Sequence, residues 1–167
     1  MTDVTAQLSE FSAKVSVSNL PPEVLERARF LVLDLIGNMV RARQISDSTP
    51  ALLSAAKALG LGHGESRVFG DPETWSPAGA AFVNATLAHS LDFDDTHAPS
   101  TLHPGAPVIP AALAAGEMTG ASGADVLAAI VAGYEVVCRL GLALPAGDHY
   151  QRGYHPTATC GVFGAAA

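Results

Sequence analysis

Lysine is nearly absent from this chain of 167 residues, with Lys14 and Lys57 its only two. Lys plus Arg come to 9 against 16 Asp plus Glu, a formal net charge of −7 with no long basic run. That balance speaks against nucleic acid or an anionic membrane surface as a partner. An anionic ligand would have to be met by locally placed cations or backbone amides. Cysteine is equally scarce. Cys138 and Cys160 lie in small, apolar surroundings without CxxC spacing, which excludes a cysteine-based metal or redox motif and predicts two buried thiols. Gly60, Gly62 and Gly64 are followed by neither a Lys-Ser/Thr pair nor a helix start in the right register, so no phosphate loop is present. Long apolar runs are missing too. Ala106 to Ala115 is too short to cross a bilayer, and Val126 to Leu144 is interrupted by Glu135 and Arg139. Met1 to Leu20 lacks a basic segment followed by an apolar one, so no secretory leader is expected and the predicted setting is cytoplasmic.

Charged residues are also few, at 15 % against 49 % hydrophobic. With a mean hydropathy of +0.27, there are too few charges to coat every helix, and extensive buried contact with further protein is expected. The length suits one domain or a piece of one.

The apolar pattern predicts an all-α fold, a bundle of five or six closely packed, Ala/Gly-rich helices. Ser18 or Asn19 is a candidate cap for a first helix with Pro21 and Pro22 in its first turn, and Val24, Ala28, Leu31, Leu35 and Met39 mark its buried stripe. Leu33, Ile36 and Val40 broaden that stripe, and Gly37 suggests a close helix contact. Thr49 and Pro50 open a second helix that stops at Gly60. Residues 60–75 read as a loop with at most an edge strand at Arg67-Val68-Phe69. Ser76 and Pro77 restart helix, a Pro-crowded helix follows from Pro104 to near Gly120, and Ser122 caps the next, to Leu144. Pro145 to Gly153 reads as a polar loop, and Pro156 to Ala167 as a small-residue helix that needs neighbours to be stable.

The chemistry-bearing residues concentrate between His89 and Pro107, in the string H-S-L-D-F-D-D-T-H-A-P-S-T-L-H-P-G-A-P. If the helix from Pro77 persists through it, Asp92, Asp95 and Thr96 share one face while Asp94 points elsewhere. Neighbouring carboxylates raise one another's proton affinity and a carboxylate orients an imidazole, a set suited to proton transfer. The bland alternative is an acidic, solvated helix end. His103 and His155 each precede a proline, which makes each a candidate cap beside unpaired backbone N–H groups. A helix N-terminus attracts anions and disfavours an imidazolium, so either ring could act as a base or as a neutral donor. Either could equally be a turn histidine. His89, on an apolar helix, reads as a packing residue, and His63 and His149 as loop residues without a partner. His97 could bind substrate or face water; Arg152 could clamp a carboxylate or be a surface charge. Asp92, Asp94, Asp95, His97 and His103 are competent metal ligands, but no HExxH, EF-hand or diphosphate-Mg²⁺ spacing is present, so an Asp/His metal-dependent hydrolase is the weaker reading.

Several segments together resemble the MmgE/PrpD family, which includes 2-methylcitrate dehydratase, cis-aconitate decarboxylase and iminodisuccinate epimerase. They are Phe11 with Leu20-Pro21, Asp34 and Gly37, Val68-Phe69-Gly70, Asn84 to His103, Gly133-Tyr134-Glu135, and Gly153-Tyr154-His155-Pro156. The resemblance implies a helical domain with a lid supplied by downstream sequence, usual dimerisation, and no metal or organic cofactor. It matches Asp92, Thr96, His103 and His155 to active-site positions. It also implies lyase or isomerase chemistry next to a carboxylate of a small di- or tricarboxylate. On this reading His103, His155 and Asp92 are the catalytic candidates, and Thr96, His97 and Arg152 the substrate-binding ones. Members are more than twice this length, so residues 1–167 are expected to form only the first portion of the helical domain, inactive without the remainder, and to associate as a homo- or hetero-oligomer. The alternative from a different class is a non-catalytic helical module that binds a partner through apolar faces.

Overall fold

The computed structural model describes residues 3–167 and is all-α apart from a minute hairpin. Eight α-helices occur among the described residues: α1 (Val4–Lys14), α2 (Pro22–Ile45), α3 (Thr49–Ala58), α4 (Pro77–His89), α5 (Gly105–Thr119), α6 (Gly123–Ala143), α7 (Ala146–Gln151) and α8 (Pro156–Ala166). The expected bundle is there with more helices than foreseen. Two of them, α1 and α7, lie outside the expected helices, although Val4, Leu8 and Phe11 recur at helical spacing along α1. Helix α1 is capped by Asp3, whose carboxylate accepts from Ala6 N, and buries no residue fully. Helix α7, with six residues, corrects the reading of 145–153 as a loop. Met1 and Thr2, the start of the stretch tested for a leader, lie outside the described residues.

Side-chain caps fix three of the other starts, those of α4, α6 and α8. Ser76 accepts from Gly79 N at 3.0 Å to open α4, and Ser122 with Asp125 forms a capping box at α6. Helix α2 departs from expectation: Pro21 is its N-cap with no side-chain bond, while Ser16 and Asn19 close a separate 3₁₀ turn at Val17–Asn19. Its stripe does bury Ala28, Leu35 and Met39, but Leu33 is 67 % exposed. Gly37 meets nothing within 4 Å, so it marks no close helix contact.

The core lies where α2, α4, α5 and α6 meet, around Leu35, Met39, Val83, Leu87, Ile109 and Ile130, with Trp75 sealing one end. Strands β1 (Ser66–Arg67) and β2 (Thr74–Trp75) pair antiparallel. Asn84 of α4 holds the end of β1, accepting from Phe69 N at 3.0 Å and donating to Arg67 O at 2.9 Å. A smaller cluster of Leu102, Val108, Val137 and Cys160 joins α5, α6 and α8. There Gly133 and Gly164 let two helices touch through backbone, because a Cβ on Gly164 would stand 2.8 Å from Val137 Cβ and 2.9 Å from Gly133 O. Helix α6 is long and apolar enough to cross a membrane by length and composition, but here it packs against α1, α5 and α8. Cys160 is buried and Cys138 half-buried, both as free thiols.

Candidate active site

Helix α4 ends at His89, so the acidic string is not helical and Asp92, Asp95 and Thr96 do not share a face. The turn out of the helix runs through Asp92 at φ 55°, a left-handed conformation that a short polar side chain tolerates better than most. Each following side chain therefore points its own way. Asp94 is buried, Asp95 half-buried, and Asp92, Phe93 and Thr96 are exposed.

Asp95 anchors the returning loop. It accepts from Gly105 N at 3.1 Å and from the Tyr134 hydroxyl at 3.0 Å, so it, rather than His103, satisfies the first turn of α5. Only glycine fits at 105, since a Cβ there would collide with the Asp95 carboxylate and lie 2.7 Å from the Tyr134 hydroxyl. Burial raises the Asp95 carboxyl above its ordinary value against the pull of those two hydrogen bonds. The Tyr134 phenol is pushed far up by burial and by the Asp95 charge. Farther along, His97 N bonds Leu102 O and its Nδ1 meets Ser100 Oγ at 2.5 Å, closing the loop on itself.

Asp94 lies under two imidazoles. Its side chain has no exposed surface; both oxygens are within 3.0 Å of His89 Nδ1, and Oδ1 is 3.5 Å from His103 Nδ1. The His103 Nε2 lies 4.0 Å from the exposed Asp92 carboxylate. The backbone of His103 donates to Thr157 Oγ1 at 3.0 Å, which ties this loop to the first turn of α8. There His155 is the N-cap, its Nδ1 accepting from Thr157 N at 3.2 Å, as the His-Pro step suggested. An acceptor at Nδ1 leaves the hydrogen of the neutral ring on Nε2. Desolvation, then the neighbouring His89 and His103, lower the His155 pKa below its ordinary value. The ring centroids of His103 and His155 stand 4.7 and 6.1 Å from that of His89.

His89 and His155 line an open cavity of about 620 Å³ together with Thr86, Ser90, Pro107 and Thr157, and Phe82 and Val162 form its apolar walls. His103 is beside it rather than in its lining. The structure thus gathers Asp92, His103 and His155, as expected, and adds His89 and Asp94, which the sequence reading placed in the packing and on another face. It does not bring in the rest. Thr96 and Arg152 are exposed, and among the described residues no hydrogen bond or ion pair joins them or His97 to the imidazoles. A cation could be held by His89, Asp92, Asp94 and His103, whose ligand atoms lie within 4.8 Å of one another. Asp95 and His97, counted among possible ligands from sequence, are engaged elsewhere.

The chain is similar to one protein family and to several cis-aconitate decarboxylase or decarboxylase-like proteins. The profile of the MmgE/PrpD N-terminal domain matches residues 6–167. The cis-aconitate decarboxylase-like protein of Aspergillus oryzae is 32 % identical over 99 % of this chain and 35 % of its own length. The cis-aconitate decarboxylase of Aspergillus terreus is 31 % identical over 98 % and 34 %, and that of Homo sapiens 34 % identical over 92 % and 32 %. The chain spans about a third of the length of these curated relatives. With the profile matched from residue 6 onward, the chain belongs to the MmgE/PrpD family, through that family's N-terminal domain.

Proposed function

We propose that this domain carries the proton-transfer groups of a cofactor-independent lyase acting next to a carboxylate of a small di- or tricarboxylate, with decarboxylation of cis-aconitate the first reaction to test. One observation carries the reading: His103 and His155, brought from chain segments some fifty residues apart, meet through Thr157, whose hydroxyl accepts from His103 N and whose amide donates to His155 Nδ1, with His155 lining the cavity and Asp92 4.0 Å from His103 Nε2. In a decarboxylation the bond from carbon to the departing carboxylate breaks and CO₂ leaves. The electron pair passes through the conjugated alkene to the far carbon, which takes a proton. His155 with its Nε2 hydrogen is suited to give that proton, and the Ala158 amide, which the first turn of α8 leaves open beside the cavity, favours the developing negative charge. In the related dehydration or epimerisation, His103 or Asp92 takes a proton from a carbon next to a carboxylate. Thr96, His97 and Arg152 are assigned to substrate carboxylates, in a closed form that further polypeptide must complete, and the assembled protein is a cytoplasmic oligomer. The chain alone is expected to be inactive.

The test combines this chain, or its fusion, with the remaining two thirds of a decarboxylase relative. The change in ultraviolet absorbance as the conjugated alkene of an aconitate-type acid is shifted, formed or lost is followed, with proton NMR to identify the product and detect a silent epimerisation. Turnover that survives exhaustive chelation supports the reading; activity lost with chelator and restored by a divalent ion would replace it with the His89/Asp92/Asp94/His103 metal site. A second reading, a non-catalytic module, is favoured by Phe93, 75 % exposed beside the site, and by Val162 and Phe163 of α8, which are also largely exposed. On that reading, substituting His103 and His155 leaves partner binding intact.

A further inference from the structure

Nothing in the proton-transfer reading uses Asp94, yet it is the most deeply buried ionisable side chain of the site, with no exposed side-chain surface. A carboxylate removed from water needs donors on its oxygens, and the donors here are imidazoles. Both oxygens meet His89 Nδ1, at 2.9 and 3.0 Å. The other neighbour is His103 Nδ1, 3.5 Å from Oδ1, itself buried and without a hydrogen-bond partner.

We propose that Asp94 is a positioning residue that holds His103 as its Nδ1–H tautomer, leaving the lone pair on Nε2, and that His89 serves as the partner that holds Asp94 in place. A lone pair on Nδ1 would point at a carboxylate oxygen in a buried setting where repulsion is little screened, whereas an N–H there is attracted to it. No other acceptor or donor competes for that nitrogen. The Nε2 lone pair then lies on the Asp92 side, 4.0 Å from a carboxylate that is 83 % exposed and free to move with an arriving substrate. His155 is fixed the opposite way, because the Thr157 amide occupies its Nδ1 and puts the hydrogen on Nε2. Two neighbouring rings thereby present unlike Nε2 atoms, one able to take a proton and one able to give it, without either ring having to be charged first. This assignment rests on the reading of His103 as a proton carrier, but the tautomer can be measured without turnover.

The experiment uses the full chain with ring-¹⁵N histidine, read at alkaline pH through the two-bond proton–nitrogen correlations, with the His103 pattern identified by its loss in His103→Asn. The expected result is a pyrrole-type Nδ1 and a pyridine-type Nε2 at His103, in at least roughly tenfold excess, the scale of a hydrogen bond to a charged group. His155 should show the reverse. In Asp94→Leu, the His103 pattern should move to the Nε2–H form that free imidazole side chains prefer. Wild-type His103 with its hydrogen on Nε2 overturns the proposal, and so does an unchanged Nδ1–H form in a folded Asp94→Leu. If the Asp94 variant does not fold, the wild-type spectrum decides alone. In the assembled enzyme, Asp94→Asn should lower kcat with KM little changed. An Nδ1–H tautomer in a protein whose turnover ignores His103→Ala would leave this assignment standing and remove the proton-carrier role.

Discussion

Replacing Tyr134 with Phe removes one oxygen from the interior and leaves the ring, so it isolates the bond from the phenol to Asp95. That bond is 3.0 Å long and joins α6 to the loop that carries the site. A hydrogen bond to a charged group contributes about 1.5–3 kcal/mol, and one between neutral groups about 0.5–1.5 kcal/mol. The isosteric ring opens no cavity, so the loss in Tyr134→Phe at pH 8 is expected at about 1.5–3 kcal/mol, read from urea unfolding by linear extrapolation. The pH dependence sharpens the test. Burial raises the Asp95 carboxyl above its ordinary 3.8 in the folded state, so the folded protein binds its proton more tightly than the unfolded chain. The stability that group contributes is therefore full below 3.8 and is lost as pH rises through its raised folded value. Once Asp95 is protonated, the phenol bonds a neutral carboxyl, and the cost of Tyr134→Phe should shrink by about 1 kcal/mol on going to acid. A cost under about 0.5 kcal/mol at pH 8, or the same cost on both sides of the Asp95 titration, would show that Asp95 is held by Gly105 alone.

In the assembled enzyme, His103→Ala or His155→Ala should lower turnover roughly 10²-fold or more, the scale of lost general acid–base catalysis, while His63→Ala, on an exposed loop, should leave it unchanged; parent-like rates in both site variants would make the pair structural. Because His155 sits below its ordinary pKa of 6.5, the folded state sheds its proton more readily than the unfolded chain, so His155 should withdraw stability as pH falls through 6.5, and His155→Asn should flatten that acid limb in a denaturation series. The thiols should ignore a disulfide reagent at pH 8 until the chain is unfolded, since burial pushes Cys138 up to about 11 and raises Cys160 as well; rapid labelling of folded protein would contradict that packing. Gly164→Ala should cost about 1–3 kcal/mol in the same urea assay, because the added methyl meets Val137 and the Gly133 carbonyl with no flexible neighbour to yield.

The helices that were legible in the sequence are those whose stability is written locally. Ser76 before Pro77 and Ser122 before Asp125 combine a cap, a breaker and an apolar period within a few residues, and the structure uses both. Helix α7 carries no such signature: its six residues are mostly polar and the element is held by tertiary placement, with His149 meeting Thr159 at 2.9 Å. Gly37 shows the converse failure. A glycine inside an amphipathic helix is compatible with close contact, but only a facing backbone makes it one, and the close approach fell to Gly133 and Gly164 instead.

For the candidate site, the stretch that the sequence singled out does come together around the imidazoles, but without the helical geometry expected of it, because α4 ends at His89 and the turn beyond passes through a left-handed Asp92. Continuing α4 past His89 would set Asp92, Asp95 and Thr96 on a common face at helical spacing; the positive φ of Asp92 ends that periodicity. With it gone, each aspartate takes a separate duty: Asp92 exposed beside His103 Nε2, Asp94 buried between His89 and His103, Asp95 capping α5 with Tyr134. A feature of the string did carry a signal for this. A continued helix would have set two carboxylates, Asp92 and Asp95, on one partly apolar face with Asp94 close by, and their mutual repulsion disfavours carrying the helix through the string. The same reasoning makes His89 more than a packing residue. An imidazole on the last turn of an apolar helix, five residues before a carboxylate that the fold buries, is the donor that lets that carboxylate stay inside, and its ring is the physical link between His103 and His155.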